Sequence, residues 1–180
     1  RVAVAMALAG EPDVLLLDEP TTGLDVTTQA HVLDLLRNLA EETGTAMVYV
    51  SHDLGAIAQV CETVAVMYAG EIVLSGTARQ VLKHPNHPYA RGLLSSIPRI
   101  KEATMPASMP GRPPAPGGAG NGCGFVDRCP LAEQRCHDDR PLLKLGANKE
   151  MVRCHLHLRL EELQPVELPR RSQRGNLEKA

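Results

Sequence analysis

The sequence predicts an α/β fold with a mostly parallel sheet, followed by a small loop-rich segment that contains cysteines. Apolar, β-branched runs alternate with helical patterns over roughly the first hundred residues. A stretch rich in proline and glycine follows, and four of the five cysteines lie beyond it. We therefore expect an α/β part at 1–100, a linker at 101–122, a cysteine module at 123–158 and a flexible tail at 159–180.

The α/β part begins with a helix end and a strand. Arg1 to Gly10 is rich in Ala and Leu and closes on a glycine, as helices often do. Val14–Leu17 is an apolar run that we expect to be a strand buried in a parallel sheet. Pro20 ends it, because proline has no amide to donate to a ladder. The remaining elements are predicted as a helix at 27–42, a strand at 46–50, a helix at 54–60, strands at 63–67 and 71–74, and short helices at 77–83 and 88–95.

Composition excludes several classes of function. A net charge of −2 and an aromatic content of 2% argue against a nucleic-acid binder, which needs basic surfaces or stacking platforms. No run of about 20 apolar residues is present, so we expect any membrane association to come through a partner. Because the chain opens with Arg1 inside an apolar segment, we expect it to be the C-terminal part of a longer protein.

Two adjacent carboxylates, Asp18 and Glu19, follow the first predicted strand. They lie at its carboxyl end, where open α/β sheets bind ligands. Carboxylates beside an apolar strand are costly unless a cation or a reaction needs them. In phosphoryl transfer one such residue supports magnesium and another aligns the attacking water. Beside an anionic phosphate and a second carboxylate, we expect Glu19 to have a raised pKa that favours general-base catalysis. We expect His52, after the next strand, to contact a terminal phosphate.

These residues resemble the ATP-binding-cassette (ABC) ATPases, a class of P-loop NTPases. Val14–Glu19 is similar to their Walker B strand, Gly23-Leu24-Asp25 to the D-loop, His52 to the switch histidine, and Arg1–Gly10 to the helix after the signature motif. The resemblance implies ATP and Mg²⁺ as ligands. It implies that Asp18 supports magnesium through its water shell, Glu19 is the catalytic base, His52 contacts the γ-phosphate and Asp25 communicates across a dimer interface.

Two motifs of that family are missing from the sequence. No Gly-x-x-x-x-Gly-Lys-Ser/Thr loop is present to cradle phosphates, and neither is a Leu-Ser-Gly-Gly-Gln signature. We expect both to lie upstream of Arg1. The chain by itself is therefore expected neither to bind ATP tightly nor to hydrolyse it.

The cysteine module contains Cys123, Cys129, Cys136 and Cys154, which are too widely spaced for a Cys-x2-Cys zinc knuckle. Disulfides are disfavoured in the reducing compartment where nucleotide-driven ATPases work. Four unrelated buried cysteines are also disfavoured by the loop-rich setting. Four thiolates suit tetrahedral zinc and a four-iron cluster about equally. Mixed zinc ligation also stays open, because His137 and His155 each follow a cysteine.

Two segments are similar to one subfamily, the ATPase subunits of oligopeptide/dipeptide importers, which also serve nickel and glutathione. They are His84–Leu94 and Gly122–His155. The resemblance implies that the four cysteines hold a [4Fe–4S] cluster, with Zn²⁺ as the alternative. It also implies a peripheral ATPase at the cytoplasmic face of the inner membrane. Its expected partners are a second ATPase subunit, two transmembrane permeases and a periplasmic or extracellular solute-binding protein, with no nucleic acid.

Two other classes of function stay open at this point. One is a non-transport ABC-type ATPase, which the patterns at 84–94 and 122–155 disfavour. The other is a stand-alone iron–sulfur regulatory module, which would require that no nucleotide-binding segment precede Arg1. The transported solute is not readable from an ATPase site, because such a site meets the same nucleotide in every cycle.

Overall fold

The computed structural model describes residues 2–97, 109–115, 117–118, 120–146 and 148–157. The expected tail at 159–180 and the first part of the expected linker, 101–108, lie outside the described residues. The chain divides into two compact units, Arg1–Val64 and Ala65–Ala180. Among the helices of the described ranges, none has both the length and the hydropathy to cross a bilayer.

The first unit is built from three helices and two parallel strands. They are α1 (Val2–Leu8), β1 (Val14–Asp18), α2 (Val26–Thr43), β2 (Ala46–Val50) and α3 (Leu54–Val60). In the parallel pair, Val14 lies opposite Ala46 and Asp18 opposite Val50. The α2 helix begins at an aspartate cap, Asp25, and ends at Gly44 with a φ of 68°, a left-handed conformation that glycine adopts without steric cost.

One face of the parallel pair is covered and the other is open. Leu15 and Leu17 are buried with Val32 and Leu36 of α2, and side chains of α1 pack against the same cluster. Side chains alternate across a strand, so the neighbours of these leucines point away from the helices. Leu16 is 72% exposed, and the other exposed apolar side chains on the pair are Val14, Val48 and Val50. The expectation of a fully buried strand is therefore wrong for half of its residues.

The second unit is a four-stranded sheet with short helices. Its elements are β3 (Thr63–Tyr68), which begins at the end of the first unit, β4 (Glu71–Thr77), α4 (Ala78–Lys83), α5 (Pro88–Ser95), a 3₁₀ turn (Val126–Arg128), α6 (Gln134–Asp138), β5 (Lys144–Leu145) and β6 (Met151–Val152). The strand order is β3-β4-β6-β5, and β6 pairs antiparallel with both β4 and β5.

The sequence predicts a mostly parallel sheet that allows an antiparallel edge, and it predicts that the strands at 63–67 and 71–74 are joined through Ala69-Gly70. The join is confirmed: the connection from β3 to β4 is the two-residue turn Ala69-Gly70, with φ angles of 48° and 81°, as in a tight β-hairpin. The antiparallel pairing extends further than an edge, because β6 also pairs antiparallel with β4 and β5. Among the described strands, β1 and β2 pair in parallel, while β6 pairs antiparallel with β4 and β5 in the second sheet.

The cysteine module shares this sheet and its core. Three of the chain's four aromatic residues meet here: the ring of Tyr68 lies 4.6 Å from that of Tyr89 and 5.1 Å from that of Phe125. Cys123 and Cys129 pack against the same cluster. The guanidinium of Arg128 lies 5.8 Å from the Tyr68 ring and donates to its hydroxyl at 3.3 Å. The module is therefore held by β3 and β4 and does not form a core of its own.

A buried carboxylate fixes the turn between β5 and β6. Glu150 is 2% exposed and accepts a hydrogen bond from Asn86 Nδ2 at 2.5 Å, while its Oε2 has no hydrogen-bond partner among the described residues. Gly146 lies so close that a Cβ there would clash with Glu150 Oε1. Next to Asn86, the buried His87 caps α5 by accepting from the Tyr89 amide. Burial lowers the pKa of His87 to about 4, so its ring is neutral near pH 7.

We expect Asn86→Ala to destabilise the second unit. The substitution removes a donor from a buried acceptor, and an unsatisfied buried group costs about 1–3 kcal/mol, or more when it is charged. The free energy of unfolding, measured by urea titration, should fall by at least that amount. Asn148→Ala is the matched control, because the exposed Asn148 contributes its backbone carbonyl to Gln80 and keeps that group. Equal stability of the two variants would contradict the assignment.

Candidate functional site

The candidate site lies where β1 and β2 end side by side. Asp18 is the last residue of β1 and is exposed. The amide of Glu19 donates to the Val50 carbonyl at 2.9 Å, which extends the contact between the strands by one residue. Glu19 has a φ of 47°, a left-handed conformation that is uncommon for a residue with a side chain. This turn redirects the chain out of the strand at Glu19, beside the end of β2.

Glu19 and His52 contact each other directly. Oε1 of Glu19 lies 2.7 Å from His52 Nδ1 and accepts from the His52 amide at 3.1 Å. Oε2 of Glu19 accepts from the Thr22 hydroxyl at 2.8 Å. We refer to Asp18, Glu19 and His52 as the carboxylate–histidine site. The structure thus brings Glu19 and His52 into contact, and Asp18 precedes Glu19 at the same strand end.

The charges of the pair reinforce each other. The hydrogen bond from His52, followed by that from Thr22, holds the pKa of Glu19 below its ordinary value of 4.5. The hydrogen bond to Glu19 raises the pKa of His52 above its ordinary value of 6.5. The raised Glu19 pKa expected beside an anionic phosphate stays a prediction, because the lowered pKa belongs to the arrangement without phosphate. Donors that stabilise the carboxylate outweigh its slight desolvation, and both oxygens of Glu19 are engaged.

Asp25 is a helix cap in this structure. Its Oδ1 accepts from the amides of Thr27 and Thr28 at 3.0 Å, and its Oδ2 accepts from the Thr28 hydroxyl at 2.6 Å. These bonds lower the pKa of Asp25, with the Thr28 hydroxyl as the largest cause. They satisfy amides that the first turn of α2 leaves free. An aspartate just before a helical pattern was a signal for this role in the sequence.

Three polar residues near the site were not singled out from the sequence. Thr22 lies three residues after Glu19, a spacing at which a turn returns a side chain to its start. Asp53 caps α3 immediately after His52, as its place before a helix indicates. Gln29 donates to Asp53 from the neighbouring helix α2 at 2.6 Å. Nothing in the sequence signals that last contact, since 24 residues separate its partners.

The four cysteines of the module are free thiols near one another. The amide of Cys123 donates to the Cys136 carbonyl at 2.8 Å, and that of Leu156 to Cys154 Sγ at 3.4 Å. Burial, with smaller contributions from the thiols of Cys123, Cys129 and Cys136, raises the pKa of Cys154 to about 11. Burial also raises the pKa values of Cys123 and Cys129. Each of these three environments favours the protonated thiol over the thiolate that metals bind.

The expected cluster ligands are not assembled in this structure. Within the described ranges, which include all four cysteines of the module, no three His, Cys, Asp or Glu side chains are arranged to hold a metal ion. His155, considered for mixed zinc ligation, has its Nε2 3.0 Å from the Asp139 carbonyl. The donor set as it stands does not fit a [4Fe–4S] cluster or a tetrahedral zinc ion.

We expect Glu19→Gln to lower the pKa of His52 towards 6.5, because the carboxylate is the main cause of its rise. Histidine NMR titration measures this. The pair's contribution to stability is lost as pH rises through the raised His52 pKa, and as pH falls through the lowered Glu19 pKa. The stability difference between wild type and variant should therefore be largest between pH 4.5 and 6.5. In the control Glu42→Gln, the His52 titration should not move; a shift there, or none in Glu19→Gln, would contradict the pairing.

Two family models match separate parts of the chain. Residues 75–136 match the model described as "Oligopeptide/dipeptide transporter, C-terminal region". Residues 1–58 match one described as "AAA domain, putative AbiEii toxin, Type IV TA system", which indicates an ATPase-type α/β domain. The first match covers α4, α5 and three of the module's cysteines, and the second covers the carboxylate–histidine site.

Curated relatives match most of the chain. Proteins named "Putative peptide import ATP-binding protein" from Brucella ovis and Brucella melitensis biotype 1 are each 44% identical over 161 residues, or 86% of this chain and 48% of the relative. Another so named from Brucella melitensis is 40% identical over 164 residues, or 90% of this chain and 49% of the relative. The chain spans about half the length of these relatives. Over most of its length the chain is thus similar to proteins named for ATP binding and peptide import, and part of it to the C-terminal region of oligopeptide/dipeptide transporters.

Proposed function

We propose that the protein hydrolyses ATP to power the import of peptides, or of related small solutes, across a membrane. The observation that carries this proposal is the contact between Glu19 and His52 at the ends of two adjacent parallel strands. A carboxylate and an imidazole at this edge can act on a phosphate and a water molecule together. The relatives named for peptide import support the choice of substrate class.

Asp18 is the residue that we propose for magnesium. Mg²⁺ keeps several of its waters and uses one or two carboxylates together with the phosphates of its substrate. One exposed carboxylate at the strand end fits that requirement. Bound with ATP, magnesium neutralises charge on the phosphate oxygens.

Glu19 is proposed as the general base and His52 as the residue that contacts the terminal phosphate. In the described arrangement the two are bonded to each other, so Glu19 Oε1 is not free to accept a proton from water. An anionic phosphate offers His52 a second acceptor. When the His52 ring turns to it, Oε1 keeps only the bond from the His52 amide and can orient the attacking water. Thr22 keeps Oε2 in place during this exchange.

Asp25 is proposed to communicate across the interface of two ATPase subunits. Its side chain ties the loop that begins at Thr22 to the first turn of α2. A contact made on that loop by a second subunit would therefore reach Glu19 through Thr22. Further proposed partners are two transmembrane permeases and a periplasmic or extracellular solute-binding protein, with the ATPase at the cytoplasmic face of the inner membrane.

We expect Glu19→Gln in the full-length protein to abolish most ATP hydrolysis while ATP binding persists. A positioned general base contributes about 10²- to 10⁴-fold, so kcat should fall by that factor with little change in nucleotide affinity. Steady-state hydrolysis and equilibrium nucleotide binding measure the two quantities. Glu42→Gln, a change of the same kind at an exposed position of α2, should keep wild-type kcat. Comparable activity of the two variants would overturn the proposed role of Glu19.

We also propose that the module's four cysteines hold a [4Fe–4S] cluster, or Zn²⁺, after a rearrangement of their side chains. The electrostatic influence of three thiols on Cys154 supports this, since it places all four in one neighbourhood. The described arrangement is not itself a ligand set. The proposed role of the cluster is structural.

Anaerobic purification of the full-length protein tests the cluster. We expect a visible absorbance band together with about four iron atoms per chain, both lost in Cys136→Ser. Cys61→Ser is the matched control, because Cys61 lies in the other unit and should leave both signals unchanged. Bound zinc without iron would replace the cluster by its alternative, and a metal-free chain would overturn both assignments.

A further inference from the structure

A side-chain hydrogen bond joins helix α2 to the turn that carries His52. Gln29, in the second turn of α2, donates from Nε2 to Asp53 Oδ2 at 2.6 Å. The bond is partly buried and links residues 24 positions apart. Local turn formation does not explain it, because its partners belong to different elements.

Asp53 is held from two sides. Its Oδ1 accepts from the amides of Gly55 and Ala56 at 2.8 and 3.2 Å, which caps α3. Its Oδ2 takes the bond from Gln29. Its amide donates to the Ser51 hydroxyl at 3.0 Å, so the backbone after His52 is tied to the side chain before it. The position of the turn 51–53 therefore depends on both α3 and α2.

His52 itself has little packing to hold it. Its side chain is 81% exposed, and its ring contacts Glu19 Oε1. A ring on the surface keeps its place only as well as the backbone beneath it does. That backbone is the turn that Asp53 ties to Gln29.

These bonds form a closed circuit. From Glu19 it runs through Thr22 to the loop before α2, and Asp25 caps that helix. From α2 it continues through Gln29 to Asp53, and from the adjacent His52 back to Glu19. The hydrogen bond from Gln29 to Asp53 is the step of this circuit that links α2 to the turn 51–53.

We propose that Gln29 is a positioning residue that holds His52 in line with Glu19 by fixing the carboxylate of Asp53. Among the hydrogen bonds of the described residues, none joins Gln29 to Glu19 or His52, so Gln29 acts through the turn. A shift of the loop 22–25 is thereby passed to His52 as well as to Glu19. The expected effect on catalysis rests on the function proposed above. The positioning of His52 by Gln29 through Asp53 does not.

The test uses the full-length protein with Gln29→Met, which keeps the length of the side chain but donates no hydrogen bond. Gln59→Met is the matched control, because Gln59 bonds the Gly55 carbonyl within its own helix and has no part in the circuit. Histidine NMR titration reports the pairing of His52 with Glu19. Steady-state ATP hydrolysis reports kcat and KM separately.

We expect the pKa of His52 to fall towards 6.5 in Gln29→Met, because looser positioning weakens the bond that raises it. We expect kcat to fall roughly tenfold, since misplaced catalytic groups cost rate, with KM for ATP changed less than about twofold. Gln59→Met should match wild type in all three. A loss of stability with unchanged His52 pKa and kcat would show that Gln29 only holds two helices together, and would overturn the proposal.

A charge-neutral exchange keeps the proposal testable if Gln29→Met does not fold. Gln29→Glu combined with Asp53→Asn reverses the donor and acceptor of the bond, preserves net charge and keeps a good helix cap. It should restore at least part of the kcat that Gln29→Glu alone removes; no recovery would count against the proposal. If wild type shows no ATP hydrolysis but the His52 pKa still falls in Gln29→Met, the proposed function fails and the positioning role stands.

Discussion

The parallel register of β1 and β2 is the constraint on which the carboxylate–histidine site depends. Asp18 lies opposite Val50, so Glu19 and His52 leave the two strands close enough to bond. A slip of one residue would displace the strands by about 3.3 Å and move every side chain to the other face. Leu15 would then leave the core that it shares with α2. The burial of apolar side chains therefore sets the register, and the register in turn sets the positions of Glu19 and His52.

The site could be predicted from the sequence only as far as local patterns reach. Apolar runs followed by carboxylates or a histidine located Glu19 and His52, because the carboxyl ends of parallel strands meet at one edge. The lowered pKa of Glu19 could not be predicted, because it depends on hydrogen bonds from Thr22 and His52 that form only in the folded chain. The hydrogen bond from Gln29 to Asp53 could not be predicted either, because its partners are 24 residues apart in the sequence.

The second unit shows a related limit. The sequence predicts a loop-rich module joined by a linker, but β6 pairs with β4 and Phe125 packs on Tyr68. Strands of two residues show no alternation that a pattern could detect. The aromatic contact joins residues that are far apart in a chain with few aromatics, so composition alone did not show that they would meet. What was predicted correctly was the helices at 77–83 and 88–95, where capping residues and proline mark the ends.

The open face of the β1–β2 pair affects how the chain behaves in solution. Leu16 and Val48 expose apolar surface, and each strand of this two-stranded sheet also has an unpaired edge. Such a surface attracts other chains, both by removing apolar area from water and by offering backbone groups for strand addition. We therefore expect the isolated chain to self-associate increasingly as its concentration rises. Polar substitutions on this face would raise solubility without disturbing Leu15 and Leu17, which point the other way.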